Sequence, residues 1–507
     1  MVLKGKIPKE IFDFISRDAG RSLLVRGPAG TGKTTFALET MEKMRREMNT
    51  YYLTSRVADS ALFDHFVWLK QMVDEGEMMK VVKEMEKLAL KKDAERKGPR
   101  VERAELKKLE GFIEGDFGEP LFDQKEVTLT VGSQIAELDL VYDVVEKALP
   151  KSTLVVIDSV EGVCEKYGIS PTKLIYTLEK DLVESAHAKV IFVVETPEPM
   201  LDYLADGVVH LEMRNKDNRT LRCMEIKKLR GMRIDRSNYL YTLEGGRFTV
   251  LEPPRPDEVL AFNNFGEEGK NPFVTEIAEV DNVLGSIGQG VVINVISDEH
   301  TTLGDQYLFL KKIMAWHFIA GRGIFYMPSK TLDPKETIKF FATNTICTER
   351  FPTHLRMLVL HTFLPQISES QENLVLLEGT NIEREITADV IKSSMNLPPP
   401  YLFIIDAEAL YSTYRNLSTA EIMGLIRLIR SINSNCIFIT YPETPQAILQ
   451  LSDISIRLRR VESVPVIAGE FPHTPYYGFS IERYVSSPRS GSKPEQKRLK
   501  IRLIPIV

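Results

Sequence analysis

Short runs of apolar and β-branched residues alternate along the chain with longer amphipathic segments. In the first half these runs are SLLVRG, TYYLTS, STLVVID and AKVIFVVET, and in the second half they are GVVINVIS, GIFYMPS, YLFIIDA and NCIFITY. Nearly continuous apolar runs of this length predict parallel strands that are covered by helices on both faces. The pattern therefore predicts an α/β protein with mostly parallel sheets flanked by helices.

The same order of predicted elements occurs twice, with a period of about 250 residues, which is too long for a solenoid. The third strand of each half ends in an aspartate, Asp158 in the first and Asp406 in the second. The prolines of LEPPRPDEV discourage helix and strand and indicate a boundary there. We therefore expect one domain at 1–250, a linker at 251–258 and a second domain at 259–482.

Two segments depart from this pattern. Residues from about 74 to 118 combine mixed charges with apolar residues at helical spacing, which predicts two helices that form either a solvated hairpin or a partner-docking arm. Residues 483–507 contain seven Lys or Arg and one Glu. That composition is typical of a disordered basic tail, and the alternative is a tail that binds an acidic partner or nucleic acid.

Composition narrows the class of protein. Apolar residues make up 43% of the 507 residues, and the formal net charge is −6, so the chain as a whole does not attract nucleic acid or acidic membranes. The four cysteines lie far apart without metal-ligand spacing, which indicates reduced thiols in the cytoplasm. No apolar stretch approaches the roughly 20 residues that cross a bilayer. We expect a cytoplasmic protein that has no membrane partner.

The segment GPAGTGKTTF follows the first predicted strand and fits the phosphate-loop pattern G-x-x-x-x-G-K-[ST]. Its glycines let backbone N–H groups surround phosphate oxygens, Lys33 reaches the β- and γ-phosphates, and the Thr34 hydroxyl ligates Mg²⁺. Asp158 is the candidate carboxylate for the metal, with a turn-capping role as the alternative. The nucleotide-binding residues predicted in the loop are Gly27, Pro28, Ala29, Gly30, Thr31, Gly32, Lys33, Thr34 and Thr35.

Four segments together resemble the RecA-like ATPases of the KaiC and GvpD group: GPAGTGKTTFALE, VVIDSVEGV, YLADGVVHLEM and MEIKKLRGMR. The phrases YLTSRV, FVWL and YLYTLEGGRFTVLEP most resemble archaeal GvpD-like proteins, which repress gas-vesicle genes together with a partner activator. The resemblance covers residues 8 to 250. It implies tandem RecA-like domains, ATP as the nucleotide, and a regulatory role that involves a protein partner.

In KaiC-type rings the KLRG segment places a lysine and an arginine at the nucleotide of the neighbouring subunit. The resemblance therefore implies a homo-oligomer in which Lys228 and Arg230 act in trans on the γ-phosphate. The alternative is a basic cluster at a strand edge.

KaiC-type proteins end the second strand with two glutamates, one of which orients the attacking water. This chain has Ser55 and Arg56 there, and neither accepts a proton from water at neutral pH. Loss of such a base lowers the rate by about 10² to 10⁴. Glu195, which ends the run IFVVET, is either a replacement catalytic base or a structural acid. Because the usual base is absent, we expect slow hydrolysis. Arg56 is a candidate contact for the γ-phosphate.

The second half lacks a phosphate loop. Aligning the halves places Asp298 on Gly27, Gly304 on Lys33, and Asp305 on Thr34, so we expect carboxylates to face and repel phosphates. The segment nearest to the KLRG signature is SIRLRRVESVPV. We expect a degenerate RecA-like domain in which Asp406 is a turn-capping residue rather than a residual metal ligand.

These observations favour a RecA-like regulatory protein that binds MgATP and acts as a slow ATPase or nucleotide-dependent switch. A DNA recombination or repair ATPase of the RadA type would share the fold. The acidic net charge and the absence of a helix-hairpin-helix signature do not favour it, or nucleic acid as a partner. A nucleotide-binding scaffold without turnover is the third interpretation.

Overall fold

The structure, a computed structural model, describes residues 5–54, 66–69, 103–115, 136–196, 198–255, 288–329, 332–333, 337, 351–360, 373–394, 396–397, 399–485 and 497–507. The chain forms two compact units, Met1–Val250 together with Val507, and Leu251–Ile506. In the described residues no helix is both long and apolar enough to cross a bilayer.

The first unit contains one mixed sheet. Its strands are β1 (Arg21–Arg26), β2 (Asn49–Thr54), β3 (Thr153–Asp158), β4 (Lys189–Val194), β5 (Gly207–Lys216), β6 (Arg219–Leu229), β7 (Asn238–Thr242) and β8 (Thr249–Leu251). Their order across the sheet is β2-β3-β4-β1-β5-β6-β7-β8. The strands from β2 to β5 pair in parallel, whereas β6 is antiparallel to both β5 and β7.

Helices cover both faces of this sheet. They are α1 (Lys9–Ile15), α2 (Lys33–Met44), α3 (Ala104–Gly115), α4 (Ala136–Ala148), α5 (Val160–Tyr167), α6 (Pro171–Leu178), a π-helix (Glu179–Ser185) and α7 (Leu201–Leu204). Side chains alternate across the sheet, so Leu23 and Val25 pack in one apolar cluster with Phe36 of α2, while Leu24 packs in the other with Leu174 of α6. This two-sided burial is what the continuous apolar runs predict.

Helix α3 is the part of the predicted charged insertion that falls within the described residues. Its side chains Leu106 and Leu109 are buried against the unit. The buried carboxylate of Asp181 accepts a hydrogen bond from the backbone N–H of Leu106, 3.0 Å away, and one from the Tyr142 hydroxyl. This end of the insertion is therefore docked on its own unit through apolar burial and a capped helix start. The rest of the insertion lies outside the described residues.

The second unit also contains one mixed sheet. Its strands are β9 (Val292–Ser297), β10 (Ile324–Met327), β11 (Leu355–Leu360), β12 (Leu374–Leu377), β13 (Leu402–Asp406), β14 (Asn435–Thr440), β15 (Ile454–Val461), β16 (Val464–Phe471), β17 (Tyr477–Val485) and β18 (Lys497–Pro505). Their order is β12-β11-β10-β13-β14-β9-β15-β16-β17-β18. The strands from β12 to β15 pair in parallel, and the last three are antiparallel.

The helices of the second unit lie between these strands in the sequence. They are α8 (Leu303–Ile319), α9 (Phe351–His354), α10 (Ile382–Glu385), α11 (Ala388–Ser394), α12 (Ala407–Thr413), α13 (Thr419–Ser431) and α14 (Ala447–Leu451).

The two sheets share one topology. If β11 and β12 are left out, the second order becomes β10-β13-β14-β9-β15-β16-β17-β18, which is the first order strand for strand. Strand β1 ends at Arg26 and β9 ends at Ser297, so the two loops begin at Gly27 and Asp298, as the alignment of the halves predicts. The predicted fold class, two tandem RecA-like domains with mostly parallel sheets flanked by helices, is confirmed.

The expectation of a disordered basic tail at 483–507 is wrong for the described residues of this segment. Strand β17 continues to Val485, and β18 pairs with it in antiparallel register from Tyr477↔Pro505 to Val485↔Lys497. The segment KRLKIRLIP alternates basic and apolar residues, the period of a strand with one buried face. Leu503 is accordingly buried in the core beside Phe479. The charge count concealed this alternation.

Candidate functional site

The phosphate loop follows β1 directly, and its glycines adopt conformations that other residues avoid. The φ angles of Gly30 and Gly32 are +78° and +86°. A Cβ atom on Gly27 would lie 2.1 Å from the carbonyl oxygen of Leu211, and one on Gly32 would lie 2.8 Å from the Leu243 side chain. Glycine is therefore required for both the backbone path and the close approach of neighbouring groups.

Lys33 begins helix α2 and curls back over the loop. Its ammonium donates to the carbonyl oxygens of Gly27, 2.8 Å away, and Pro28, 3.0 Å away, and the residue is only 6% exposed. The positive end of α2 points at the same place, because the first N–H groups of a helix have no partner within it. The loop, the lysine and the helix start together form a site for an anion.

Two side chains from distant strands hold the loop. The Arg222 guanidinium on β6 donates to the carbonyl oxygen of Gly30 at 2.8 Å, and the buried Tyr241 hydroxyl on β7 donates to that of Thr31 at 2.5 Å. Sequence reasoning missed both residues. They lie on β6 and β7, the two strands that follow β5 in the sheet, and the motif does not reveal this position.

Asp158 ends β3 beside the loop. Its Oδ2 accepts hydrogen bonds from the Thr34 hydroxyl at 2.6 Å and the Tyr52 hydroxyl at 2.8 Å. Burial raises the pKa of this carboxyl above its usual value, although both hydroxyls and the nearby Lys33 oppose the shift. The following residue, Ser159, caps helix α5 by accepting from the Gly162 N–H. Asp158 is thus not the helix cap and is directed at the phosphate loop.

The residues beside the loop fit Mg²⁺. Thr34 and Asp158 supply the hard oxygen donors that this ion prefers, and they already lie within hydrogen-bonding distance of each other. In the part of the chain that the structure describes, no group of three or more His, Cys, Asp or Glu could hold a metal by itself. Mg²⁺ commonly completes its coordination with substrate phosphates and waters, so two protein oxygens suffice for such a site.

Glu195 follows β4, which lies in the sheet between β3 and β1. The residue is exposed, and its charge contributes to the raised pKa of Asp158. Oε1 of the buried Glu161 accepts hydrogen bonds from the backbone N–H groups of Glu195 and Thr196 at 2.6 and 2.7 Å. The structure therefore brings Glu195 to the edge that carries Asp158 and the loop. Residues 55 and 56 lie outside the described residues.

Lys228 and Arg230 lie away from the loop of their own chain. The Lys228 ammonium donates to the carbonyl oxygens of Asp202 and Ala205, and the Arg230 guanidinium pairs with Asp206 at 2.9 Å. The backbone N–H of Asp206 donates to Ser22 at the start of β1, whereas the loop follows the end of that strand. The structure thus does not bring either residue to this nucleotide site. A role in a neighbouring subunit's site stays a prediction.

The equivalent loop of the second unit is neutralised from within. Asp298 pairs with Arg457 at 2.9 Å and with Arg459 at 2.7 Å. The buried Asp305 accepts two hydrogen bonds from Arg460, at 2.7 and 3.0 Å. The carboxylates expected at this loop are present, but strand β15 beside β9 supplies three arginines that pair with them, so they do not face a phosphate as uncompensated charges. None of the residues 298–303, all of which the structure describes, has a positive φ angle, so the backbone path of a phosphate loop is also absent here.

Asp406 caps a helix, as predicted. Its carboxylate accepts from the backbone N–H of Ala409 at 2.8 Å in the first turn of α12, and from the Tyr441 hydroxyl at 2.8 Å. Tyr441 follows β14 directly, the position that Glu195 holds after β4. The segment SIRLRR forms β15, the equivalent of β5, and not the KLRG strand β6.

The fold and the loop define a P-loop protein with two tandem RecA-like units, of which the first carries the phosphate loop. Within that class the chain is GvpD-like, which confirms the resemblance predicted from its motifs. Residues 11–230 match the family described as GvpD gas vesicle protein, P-loop domain.

Two curated relatives come from Halobacterium salinarum. Protein GvpD2 is 23% identical over 526 aligned positions, which cover 96% of this chain and 95% of that protein. Protein GvpD1 is 25% identical over 299 positions, which cover 57% of this chain and 50% of that protein.

Proposed function

We propose that this protein is a MgATP-binding regulatory ATPase that hydrolyses slowly, or a nucleotide-dependent switch, and that it acts through partner binding or assembly. One observation carries the proposal: the 2.6 Å hydrogen bond from Thr34 to Asp158 joins the phosphate loop to the acidic end of β3. That pairing of a loop hydroxyl with a strand-end carboxylate is the arrangement that P-loop NTPases use for Mg²⁺.

Each group at the loop has a distinct part in binding. Lys33 exchanges its two loop carbonyls for the β- and γ-phosphates, and the N–H groups at the start of α2 bind phosphate oxygens. Thr34 and Asp158 hold Mg²⁺. The ion, when bound, neutralises charge on the β- and γ-phosphates.

Hydrolysis is slow because no glutamate stands at the end of the second strand, where Ser55 and Arg56 occur instead. Glu195 serves as the substitute base. It directly follows β4, the strand beside the one that ends in Asp158. Its backbone N–H donates a hydrogen bond to the Glu161 carboxylate.

The regulatory role follows from the GvpD likeness together with the unequal units. A γ-phosphate at the first unit orders neighbouring loops, and its loss releases them, which changes the surface offered to a protein partner. Assembly into a homo-oligomer would bring Lys228 and Arg230 to a neighbouring nucleotide. A cytoplasmic location and a role in transcriptional or signalling control complete the proposal.

The test is calorimetric titration of the full chain with ATP and Mg²⁺, followed by single-turnover hydrolysis. We expect one bound nucleotide and turnover that falls when Glu195 is changed to Gln. Lys33→Ala should abolish binding, because it removes the charge at the phosphates. Lys43→Ala is the matched control, since it removes a partly exposed lysine from the same helix, where it pairs with Glu39.

The outcomes separate the three interpretations. Absence of binding by the unaltered protein would overturn the proposal. Binding with phosphate release no faster than that of Lys33→Ala would leave a scaffold without turnover. Binding with slow turnover that requires Lys33 but not Lys43 supports the regulatory ATPase.

A further inference from the structure

The side chain of Tyr52 reaches the same carboxylate oxygen as Thr34 does. Tyr52 lies on β2, two register positions before the strand end, and pairs with Val156 of β3. Its hydroxyl donates to Oδ2 of Asp158 at 2.8 Å, while Thr34 donates to that oxygen at 2.6 Å. Both hydrogen bonds described for Asp158 thus fall on Oδ2.

Two donors on one oxygen hold a carboxylate in one plane and leave its second oxygen available. A carboxylate that orients Mg²⁺-bound water needs such an arrangement, because the direction of the free lone pairs decides where the water sits. The Tyr52 ring is partly buried and packs against the core beside the loop, so the hydroxyl approaches from a fixed direction. A freely rotating side chain would not give that direction.

The second unit shows the alternative arrangement. There Asp406 accepts from Ala409 through Oδ1 and from Tyr441 through Oδ2, so both oxygens are engaged by the protein. A tyrosine contacts the strand-end aspartate in each unit, but only in the first do the described hydrogen bonds leave one oxygen for a metal-bound water.

We propose that Tyr52 is a positioning residue for Mg²⁺: its hydroxyl orients Asp158 so that the Oδ1 atom meets the hydration shell of the ion. The inference rests on the proposed function, since it needs a nucleotide and Mg²⁺ at the loop. Tyr52 touches neither the nucleotide nor the ion in this scheme, and it acts through Asp158, whose Oδ2 atom it shares with Thr34.

The experiment compares ATP affinity in Mg²⁺ with ATP affinity in EDTA, measured by calorimetry on the full chain. The ratio isolates the contribution of the ion. Tyr52→Phe removes the hydroxyl and keeps the ring. We expect it to leave the affinity in EDTA unchanged and to lower the Mg²⁺-dependent gain about tenfold, as removal of partners of metal ligands typically does.

Tyr51→Phe is the matched control. It removes a hydroxyl from the adjacent residue of the same strand, whose side chain points to the other face of the sheet. We expect its Mg²⁺-dependent gain to equal that of the unaltered protein. The double variant Tyr52→Phe with Asp158→Asn should show no further loss beyond Asp158→Asn alone, because Tyr52 acts only through that carboxylate.

Three results would each overturn the inference. The first is a full Mg²⁺-dependent gain in ATP affinity in Tyr52→Phe, and the second is an equal loss of ATP affinity in that variant in Mg²⁺ and in EDTA. The third is an additive loss in the double variant. If Tyr52→Phe lowers overall stability, the double variant still decides the matter through its comparison with Asp158→Asn. Should the unaltered protein bind no ATP, the proposed function fails. If the unaltered protein binds ATP, and the Mg²⁺-dependent gain in affinity is lost in Asp158→Asn but kept in Tyr52→Phe, only this inference fails.

Discussion

The two loops that follow β1 and β9 occupy equivalent places in the two sheets and have opposite chemistry. The first is a glycine-rich loop around the Lys33 ammonium, with carbonyl oxygens turned towards it. The second carries Asp298 and Asp305, which are neutralised by arginines from the neighbouring strand. A bound phosphate would have to replace those internal ion pairs, and the second loop offers no lysine to compensate it.

The difference extends to the aspartates at the ends of β3 and β13. In the first unit Ser159 caps the next helix, which leaves Asp158 directed at Thr34. In the second unit Asp406 itself is the cap of α12. A shift of the helix start by one residue therefore separates a candidate metal ligand from a structural residue. Sheet topology is retained while the polar groups at its edge have acquired new partners.

The largest expected effect concerns the loop glycines. Gly32→Ala places a Cβ atom at a φ of +86° and 2.8 Å from the Leu243 side chain, so the loop must change its path. We expect ATP affinity to fall by about 100-fold, because N–H groups aimed at the phosphates are displaced. Calorimetry with MgATP measures it.

Gly304→Ala is the counterpart in the second unit. Its nearest contact would be the Thr302 hydroxyl at an ordinary 3.5 Å, and the residue begins a helix. We expect unchanged ATP affinity and a gain in stability of about 0.5 kcal/mol from helix propensity. A loss of ATP affinity in Gly304→Ala, or none in Gly32→Ala, would contradict the assignment of the site to the first unit.

The next effect concerns Asp406. Asp406→Ala removes the N-cap of α12 and leaves the Tyr441 hydroxyl without its acceptor. We expect the second unit to lose about 2–3 kcal/mol of stability, from the cap and the unpaired polar group together. Hydrogen exchange at β13 and β14 amides of the full chain reports this loss.

The matched change in the first unit is Asp158→Asn. It should reduce the Mg²⁺-dependent gain in ATP affinity and leave exchange at β3 and β4 almost unaltered, since Ser159 keeps the helix cap. If Asp406→Ala instead changes the response to Mg²⁺, the second unit has retained a metal site and the comparison fails.

The strands, their duplication and the phosphate loop could be predicted because they depend on local signals. Apolar runs report burial on both faces, and glycine spacing reports the loop conformation. The aligned loop starts, Gly27 and Asp298, follow from the same local pattern.

The features that could not be predicted depend on contacts between residues far apart in the sequence. Arg222 and Tyr241 reach the loop from strands roughly 200 positions away, a separation that follows from the β-strand order. Arg460 neutralises Asp305 because β15 lies beside β9, which no local pattern reveals. At 483–507 the error was different in kind, since counting charges overlooked an alternation that was present in the sequence.

A smaller effect than the loss expected for Asp406→Ala uses pH to distinguish the units. Glu179, in the π-helix of the first unit, is 8% exposed. Burial raises its pKa to about 7; Asp206 and Glu184 add to the rise, which Ser22 and Arg230 oppose. The native state thus retains a proton that the unfolded state releases near pH 4.5. Stability from this group is present below pH 4.5 and is lost as pH rises through 7.

In the second unit Glu385 behaves in the opposite way. Burial raises the pKa of this carboxyl, but N–H donors from Gly379, Asn381 and Thr380 outweigh it and bring the value to about 2. Its contribution is present above pH 4.5 and is lost as pH falls through 2. Rising pH should therefore weaken the first unit, and falling pH should weaken the second.

Glu179→Gln removes the titration and keeps the shape of the side chain. We expect the first unit to gain about 1–2 kcal/mol at pH 8 and almost nothing at pH 4, because below pH 4.5 the carboxyl is protonated in both the folded and the unfolded state. Hydrogen exchange at β1 and β4 amides at both pH values measures the gain. Glu184→Gln is the comparison: that exposed residue of the same π-helix pairs with Lys180 and adds only a lesser part of the rise in the pKa of Glu179, so we expect a smaller gain from it. A gain of equal size at both pH values would show that packing, and not charge, separates Glu179 from glutamine.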